Sequence, residues 1–355
     1  MIDLILTGLG NTGLALADHI ARTKEIGSVV LADHDVFTTD NVFGQAISPR
    51  SVGRAKVDVA RARMAEINPA LEVQPWKCRL EELPRGLFRN RIVVSGLDTR
   101  FARAALSQIC FSTGVELWLD MGVRPDDRLV RVSVVFPSAP EAACLCCGWS
   151  NKDWDAIADE FSCTGLANSA PTRSPAYLGA AAAAVAAQLL ERYLAGTLTH
   201  QPEARHHMMS LTLHKAWVTC VPRNVECRSS HQRCDMESLG IPASDCKLRD
   251  LALRDTTLSL PGFPHVRRLR CPCGAERPLF FIAARLSSEQ TRCPLCGQVM
   301  RYGALDLVDV VDLSALEDLG PETPGLALAS TGITDGDIIR LGDRYFEVGA
   351  AARCM

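Results

Sequence analysis

A glycine-rich turn near the start of the chain most constrains the fold. The apolar run Ile2–Thr7 has strand character, Gly8–Gly13 contains three glycines, and Leu14–Ala21 has helical spacing. Glycines permit a tight turn, and the free N–H groups that open the helix can bind a phosphate. Asp33 follows the second predicted strand, 20 residues after Gly13, where a carboxylate can bind ribose hydroxyls. This order predicts a nucleotide-binding βαβ unit.

Strand-like and helix-like segments alternate through the first 140 residues, which predicts a Rossmann-like, doubly wound α/β domain. A chain of 355 residues has room for two or three domains. Cys, Arg and Pro become frequent after about Pro222, and short strand-like runs joined by Gly and Pro follow residue 300. We therefore predict a large α/β domain over 1–222, a segment over 223–300 whose cysteines can bind zinc, and a small β-rich C-terminal module over 301–355.

Charge and hydropathy argue against binding to nucleic acid or to a membrane. The net charge is −3, so no global basic field draws it to nucleic acid or anionic lipid. The longest strongly apolar run, Leu178 to Leu190, is too short to span a bilayer. We expect no signal peptide, because the sequence opens with the strand-like run Ile2–Thr7 and shows no basic n-region. We expect a cytoplasmic protein that binds no membrane and no nucleic acid.

A series of polar side chains after the ribose-binding position favours ATP cleavage over hydride transfer. An enzyme that splits ATP at the α-phosphate needs a cation and amide donors on the phosphates, and a carboxylate for Mg²⁺. Lys56 can supply the cation and Asp98, which follows another predicted strand, can hold the metal. Asn41 and Gln45 can donate to the phosphates. An NAD-dependent oxidoreductase remains the alternative from a different enzyme class.

The cysteine spacing predicts metal sites. The chain has 15 cysteines, and disulfides are the less favoured explanation in a reducing compartment. Cys144 and Cys147 are spaced as half of a tetrahedral zinc site. The Cys271/Cys273 and Cys293/Cys296 pairs are each followed by glycine, which predicts a zinc ribbon over 271–296.

Together these motifs resemble the ThiF/MoeB-type, E1-like adenylyltransferases over roughly residues 1–235. The resemblance implies that Asp33 binds the ribose, that Lys56 lies on the phosphates and that Asp98 binds Mg²⁺. ATP and Mg²⁺ are the cofactors it implies, alongside structural Zn²⁺. The full set of nucleotide-binding residues is then Gly8, Gly10, Asn11, Gly13, Asp33, Asp35, Asn41, Gln45, Lys56 and Asp98.

Two features depart from that family. Gly44 stands where the family usually has an arginine, and the family's arginine on a helix before the first strand has no counterpart here. Arg50, Arg54 or a second chain could supply the missing cations. A non-catalytic scaffold built on a decayed adenylation domain is therefore a further alternative.

The resemblance also implies a partner for the first cysteine pair. The family completes this zinc site with a second Cys-x2-Cys pair late in the domain. Cys227 matches its first cysteine, but Ser230 occupies the second position. His231 and Cys234 are the nearest replacements, and the sequence does not decide between them.

Cys163 is the predicted nucleophile. It lies in the polar stretch 148–174, which matches the family's crossover loop. In that family a cysteine of this loop forms a covalent bond with the activated protein, and a thiolate readily attacks an acyl-adenylate. A polar loop can move toward the adenylate and then toward an acceptor.

These expectations combine into one predicted activity. A ubiquitin-like protein ending in Gly would be adenylated, transferred to Cys163 as a thioester and passed to an E2-like conjugating protein. Activation of a sulfur carrier, which ends in a thiocarboxylate, is the alternative within the family. We expect a homodimer, as in the family it resembles.

Overall fold

The computed structural model describes residues 1–160 and 174–349. The predicted nucleophile Cys163 and most of the second half of its loop lie outside these residues. The chain divides into two compact units, one of Met1–Leu83 with Phe88–Arg233 and one of Pro84–Leu87 with Cys234–Met355. Within the two described ranges, no helix combines the length and the apolar character needed to cross a bilayer.

An eight-stranded sheet forms the centre of the first unit. Its strands are β1 (Ile2–Thr7), β2 (Ile26–Ala32), β3 (Glu72–Trp76), β4 (Ile92–Ser95), β5 (Trp118–Arg124), β6 (Leu129–Val135), β7 (Ala204–Ser210) and β8 (Lys215–Val221). They stand in the order β3-β2-β1-β4-β5-β6-β7-β8. Strands β1 to β5 pair in parallel, and β6, β7 and β8 extend the sheet in antiparallel fashion. The parallel order confirms the predicted Rossmann-like α/β class.

Helices cover both faces of this sheet. They are α1 (Asn11–Ala21), α2 (Asn41–Gly44), α3 (Lys56–Ile67), α4 (Arg100–Thr113), α5 (Asn151–Glu160) and α6 (Ala176–Leu194). Apolar side chains of α1, α3 and α6 form one core with alternate residues of the strands, among them Leu4, Leu31 and Val132. Residues that alternate with these, such as Asp120, face the side on which α4 lies.

The Ala-rich helix α6 is built for close contact with α1. A Cβ added at Gly179 would lie 2.1 Å from Oδ1 of Asn11, so only glycine fits there. The side-chain amide of Asn11 donates to the carbonyl oxygens of Ser174 (3.2 Å) and Pro175 (3.0 Å). The glycine-rich turn is thereby fixed to the start of α6, directly after the stretch 161–173.

The second unit contains two small sheets and the helix α7 (Leu248–Ala252). Its strands are β9 (Met236–Ser238), β10 (Thr257–Ser259), β11 (His265–Arg270), β12 (Glu276–Ile282), β13 (Leu307–Val308), β14 (Val311–Asp312), β15 (Ile338–Leu341) and β16 (Arg344–Glu347). A five-stranded sheet has the order β14-β10-β15-β16-β9, and a three-stranded sheet has the order β12-β11-β13.

The unit boundaries differ from the three predicted parts. The first unit continues to Arg233, beyond the predicted end at 222, because the segment that carries Cys227 and His231 returns to Cys144 and Cys147. The predicted boundary at residue 300 is absent from the structure of the second unit. There β10 pairs with β14 and β15, so strands from 223–300 and from 301–355 share one sheet.

A buried histidine makes the second unit sensitive to acid. His265 is fully buried and stacks on Phe280 with 4.6 Å between ring centroids, and neither ring nitrogen has a hydrogen-bond partner among the described residues. Burial lowers the pKa of His265 to about 4, from 6.5. In the unfolded chain His265 is therefore protonated below about pH 6.5, whereas in the folded chain it is protonated only below about pH 4.

We expect this linkage to be visible in unfolding experiments. Between pH 7 and pH 5 the histidine should lower the free energy of unfolding by about 2 kcal/mol, because only the unfolded state is protonated there. His265→Phe should remove this part of the pH dependence, whereas the exposed His214→Phe should leave it unchanged. Denaturant unfolding of the three proteins at both pH values measures the difference. Equal pH dependence in all three would contradict the assignment.

Candidate functional site

The glycine-rich turn between β1 and α1 is packed too tightly for other side chains. Gly8 has φ +77°, and a Cβ there would lie 2.7 Å from the carbonyl oxygen of Gly96. A Cβ at Gly13 would lie 1.9 Å from the carbonyl oxygen of Gly8. Gly10 precedes α1, and no side chain caps this helix start. The N–H groups of the first turn are therefore available to an anion such as a phosphate.

Asp33 fixes the shape of this turn. One carboxylate oxygen accepts from the N–H of Leu9 at 2.6 Å, and the other accepts from the N–H of Asp35 at 2.8 Å. The side chain is largely buried at the carboxyl end of β2, where nucleotides bind in sheets of this type. Asp33 thus holds the turn in place and leaves lone pairs free for ribose hydroxyls.

Lys56 and Asp35 form an ion pair beside the turn. Nζ of Lys56 lies 2.8 Å from Oδ2 of Asp35, and only 10% of the lysine side chain is exposed. Burial alone would raise the pKa of Asp35, but the hydrogen bond and the charge of Lys56 bring that pKa below its ordinary value. The helix α3 begins at Lys56 and fixes the ammonium group in this position.

The side-chain amides predicted to face the phosphates differ in their hydrogen bonding: the oxygen of Asn41 has a partner, and the oxygen of Gln45 has none among the described residues. Oδ1 of Asn41 accepts from the backbone N–H of Thr38 at 2.8 Å. Oε1 of Gln45 is buried and has no hydrogen-bond partner in the described part of the chain. Such a buried polar atom is costly unless a ligand satisfies its side chain. Arg50 and Arg54, the predicted replacements for the family arginine, are both exposed.

A cavity of about 530 Å³ adjoins the end of β4. Asp98 lies at this end, two residues after Gly96 and thus next to the glycine-rich turn. The carboxylate of Asp98 is exposed, and no hydrogen bond or ion pair engages it among residues 1–160 and 174–349. The cavity is lined by Asp98, Arg100, Arg103, Gly122, Val123, Arg124, Leu129, Arg131, Leu145, Gly148, Trp149, Asp153, His206, Met208 and Val221.

A buried carboxylate organises the floor of this cavity. Asp120 is fully buried and accepts from Nε of Arg103 and from Nη2 of Arg131, both at 3.1 Å. The hydroxyl of Ser95 donates to it at 2.7 Å, and the indole of Trp118 donates to that hydroxyl at 2.9 Å. Buried charges persist where they are paired and hydrogen-bonded in this way.

The sequence patterns did not predict this network. A signal was present, because Asp120 and Arg131 each lie inside an apolar run of strand character, and a charged residue in a buried strand needs a partner. His206 also lines the cavity, and its Nδ1 lies 2.9 Å from the hydroxyl of Ser133. Burial and the charge of Arg131 lower the pKa of His206 to about 4, so its ring is neutral at pH 7.

The structure brings together the first predicted zinc ligands. The ligand atoms of Cys144, Cys147, Cys227 and His231 all lie within 4.8 Å of one another. Sγ of Cys144 is 3.7 Å from Sγ of Cys147 and 3.6 Å from Sγ of Cys227, and Sγ of Cys147 is 3.2 Å from Nε2 of His231. These separations suit four ligands around one tetrahedral Zn²⁺. Cys234 is not in this group: it belongs to the second unit, where its thiol contacts Tyr345.

The second predicted set also converges. The sulfurs of Cys271, Cys273, Cys293 and Cys296 lie within 4.8 Å of one another, with 3.4 Å between those of Cys271 and Cys296. The glycines that follow the two pairs have φ +90° and φ +72°. Their N–H groups donate to the carbonyl oxygens of Cys271 and Cys293, both at 2.9 Å, and close the turns around the sulfurs. The four thiols fit a metal that prefers sulfur ligands.

Similar solved structures support the fold of the first unit. Escherichia coli MccB, in a crystal structure with AMPCPP and MccA, matches with a TM-score of 0.51 and 17% sequence identity. The match covers 64% of this chain and 66% of that chain. At this identity the similarity concerns the fold alone.

Curated relatives come from two groups of enzymes. Molybdopterin-synthase adenylyltransferase of Escherichia coli (strain K12) is 27% identical over 129 residues, which are 36% of this chain and 51% of that protein. Ubiquitin-like modifier-activating enzyme 5 of Arabidopsis thaliana is 26% identical over 163 residues, which are 41% of this chain and 37% of that protein. The matches thus span about half of the first relative and 37% of the second. The sequence profile of the ThiF family matches residues 2–235, which is most of the chain. This match confirms the resemblance drawn from the motifs, and this protein belongs to the ThiF family.

Proposed function

We propose that this protein adenylates the C-terminal carboxylate of a small protein or peptide. The observation that carries the proposal is the position of Asp98, which follows β4 beside the glycine-rich turn and also lines the large cavity. A nucleotide on the turn and a polypeptide tail in the cavity would thus meet at one carboxylate. The family and the printed names of the relatives, which are adenylyltransferases and activating enzymes, favour the same chemistry.

Different residues of the first unit would bind the ribose, the phosphates and the metal in this reaction. Asp33 would bind the ribose, and the N–H groups at the start of α1, with Asn41, Gln45 and Lys56, would bind the phosphates. Mg²⁺ held by Asp98, which has no partner among the described residues, would supply positive charge on the phosphates. A carboxylate oxygen of the substrate attacks the α-phosphorus, the bond to the β-phosphate oxygen breaks, and pyrophosphate leaves. Lys56 stabilises the charge that develops.

We further propose that the substrate is a ubiquitin-like protein and that Cys163 takes the acyl group. The thiolate attacks the carbonyl carbon of the adenylate, AMP leaves, and the thioester passes to a cysteine of an E2-like protein. The similarity to ubiquitin-like modifier-activating enzyme 5 favours this course. The similarity to molybdopterin-synthase adenylyltransferase equally favours a sulfur-carrier substrate, which needs no thioester on Cys163. We also propose that the enzyme is a cytoplasmic homodimer.

The charge of Lys56 gives a direct test of adenylation. We expect Lys56→Ala to reduce ATP–pyrophosphate exchange with the glycine-terminated substrate by roughly 10²-fold, the scale for one lost electrostatic contact in a transition state. The exposed Lys24→Ala in the same unit is the matched control and should exchange at the wild-type rate. Equal exchange by both variants would remove Lys56 from the phosphate site.

We propose that both cysteine groups bind structural Zn²⁺. The first, completed by His231, would tie the 144–147 segment to the end of the first unit. The second would form the zinc ribbon around β11 and β12, where few apolar residues are available to form a core. Zinc held by four protein ligands leaves no open position for catalysis.

Metal content separates the two sites and decides between His231 and Cys234. The wild type should contain two zinc ions per chain by elemental analysis. The double variant Cys271→Ser/Cys293→Ser should retain one, and His231→Ala should lose most of the other because three ligands hold zinc less tightly than four. Cys234→Ser is the control and should keep both. A loss of zinc from Cys234→Ser with full content in His231→Ala would reverse the assignment.

A further inference from the structure

The cavity beside Asp98 is lined by four arginines, and two of them have a carboxylate of their own. Arg100 pairs with Asp153 at 3.0 Å. Arg124 pairs with Asp127 across a turn and is mostly exposed. The charges of these two guanidinium groups are therefore balanced within the chain.

The other two arginines share one carboxylate. Asp120 accepts from Arg103 and Arg131 at the same distance of 3.1 Å, so its single negative charge balances only one of the two guanidinium groups. Arg103 is held more firmly, since its Nη2 also donates to the carbonyl oxygen of Leu97 and only 14% of its side chain is exposed. Arg131 has 30% of its side chain exposed, and its Nε is buried with no partner in the described ranges. Among the described lining residues, the unbalanced cation is thus Arg131.

The remaining lining does not supply a balancing charge. His206 faces Arg131 from the neighbouring strand β7 and is neutral at pH 7. Asp98 belongs to the metal site in the proposed function. Val123, Leu129 and Met208 add apolar wall. A cavity of about 530 Å³ with this lining has room for several residues of an extended chain and one place for an anionic side chain.

We propose that the polypeptide tail that enters this cavity carries an acidic side chain a few residues before its C-terminal glycine, and that Arg131 binds this side chain. The inference rests on the proposed function, because adenylation requires the tail to reach the nucleotide past this cavity. A carboxylate would pair with the exposed part of the Arg131 guanidinium, which Asp120 does not engage, in a partly buried site where charge-assisted hydrogen bonds are strong. A basic tail would bring like charges together and be rejected.

Binding of tail peptides to the full chain tests the inference. The probes are synthetic peptides of equal length ending in Gly-Gly, with Glu, Gln or Arg placed in turn at the third, fourth or fifth position from the carboxyl end. We expect the dissociation constant of the Glu peptide to be at least about tenfold lower than that of the Gln peptide at one of these positions. The Arg peptide should bind weakest. Fluorescence anisotropy of labelled peptides gives the constants.

Two variants assign the preference to one side chain. Arg131→Gln should bind the Glu and Gln peptides alike, while Arg128→Gln, on the exposed turn that precedes β6 and outside the cavity lining, should keep the wild-type preference. Equal binding of Glu and Gln peptides by the wild type overturns the inference. So does a preference that persists in Arg131→Gln, or the absence of binding by every peptide at millimolar concentration.

Failure of the inference and failure of the proposed function give different results. Pyrophosphate exchange is measured with the same peptides. A Glu preference in binding, without exchange by any peptide, supports the role of Arg131 and contradicts adenylation. Exchange that proceeds equally with Glu, Gln and Arg tails supports adenylation and contradicts the role of Arg131.

Discussion

Asp98→Ala is expected to abolish ATP–pyrophosphate exchange while the protein stays folded. The carboxylate is exposed and makes no hydrogen bond or ion pair with the described residues, so its loss should leave the free energy of unfolding unchanged. Exchange should fall by roughly 10²- to 10³-fold or more, because the Mg²⁺ that compensates charge on the phosphates loses its protein ligand. Incorporation of labelled pyrophosphate into ATP, with circular dichroism as the folding control, measures both.

The matched control is Asp126→Ala. Asp126 is likewise an exposed carboxylate of the first unit, but it does not line the cavity. It should exchange as the wild type does. Undiminished exchange in Asp98→Ala would show that the metal is held elsewhere and would remove the observation on which the proposed function rests.

Cys163→Ala is expected to separate the two chemical steps. The residues assigned to adenylation lie in the glycine-rich turn and the start of α1, in the segments that follow β2 and β4, and at or next to α2 and α3. None of them belongs to the stretch 161–173, so the variant should still form the acyl-adenylate at close to the wild-type rate. It should form no covalent adduct with the glycine-terminated protein. The wild type should form an adduct that dithiothreitol cleaves, as expected of a thioester. Denaturing electrophoresis with and without dithiothreitol distinguishes the two proteins.

Cys220→Ala, a change at an exposed cysteine of β8, is the control and should keep the adduct. An adduct that persists in Cys163→Ala would move the nucleophile to another cysteine, with Cys146 and Cys246 as the next to substitute. A wild type that makes the adenylate but never an adduct would favour the sulfur-carrier substrate.

Local patterns predicted the nucleotide-binding half of the first unit. The strand, the turn at Gly8–Gly13 and the helix that follows are consecutive in the chain, so short-range sterics determine their geometry. Proline and glycine also act locally at α6, which begins after Pro175 and ends before Gly196. Asp33 and Lys56 were also singled out from local order, because Asp33 follows a strand end and Lys56 is at a helix start. Their roles toward a nucleotide stay predictions.

Contacts between distant segments could not be obtained in this way. Both His231 and Cys234 are side chains that can bind zinc, so chemistry alone does not choose between them. The path of the chain after β8 brings His231, and not Cys234, to Cys147. The five-stranded sheet of the second unit joins strands as far apart as β9 and β16, and its short strands carry weak periodicity. The network around Asp120 likewise depends on α4 and β6 meeting at one buried carboxylate.

That shared carboxylate makes the two ends of the network unequal in their tolerance of mutation. Replacing Asp120 would leave two guanidinium groups facing each other without a counter-ion, whereas replacing Arg131 leaves Asp120 paired with Arg103 and Ser95. A single substitution at position 131 can therefore change the charge of the cavity while Asp120 keeps its remaining partners. Position 120 does not tolerate such a single substitution, because Arg103 and Arg131 would lose the carboxylate that both of them bind.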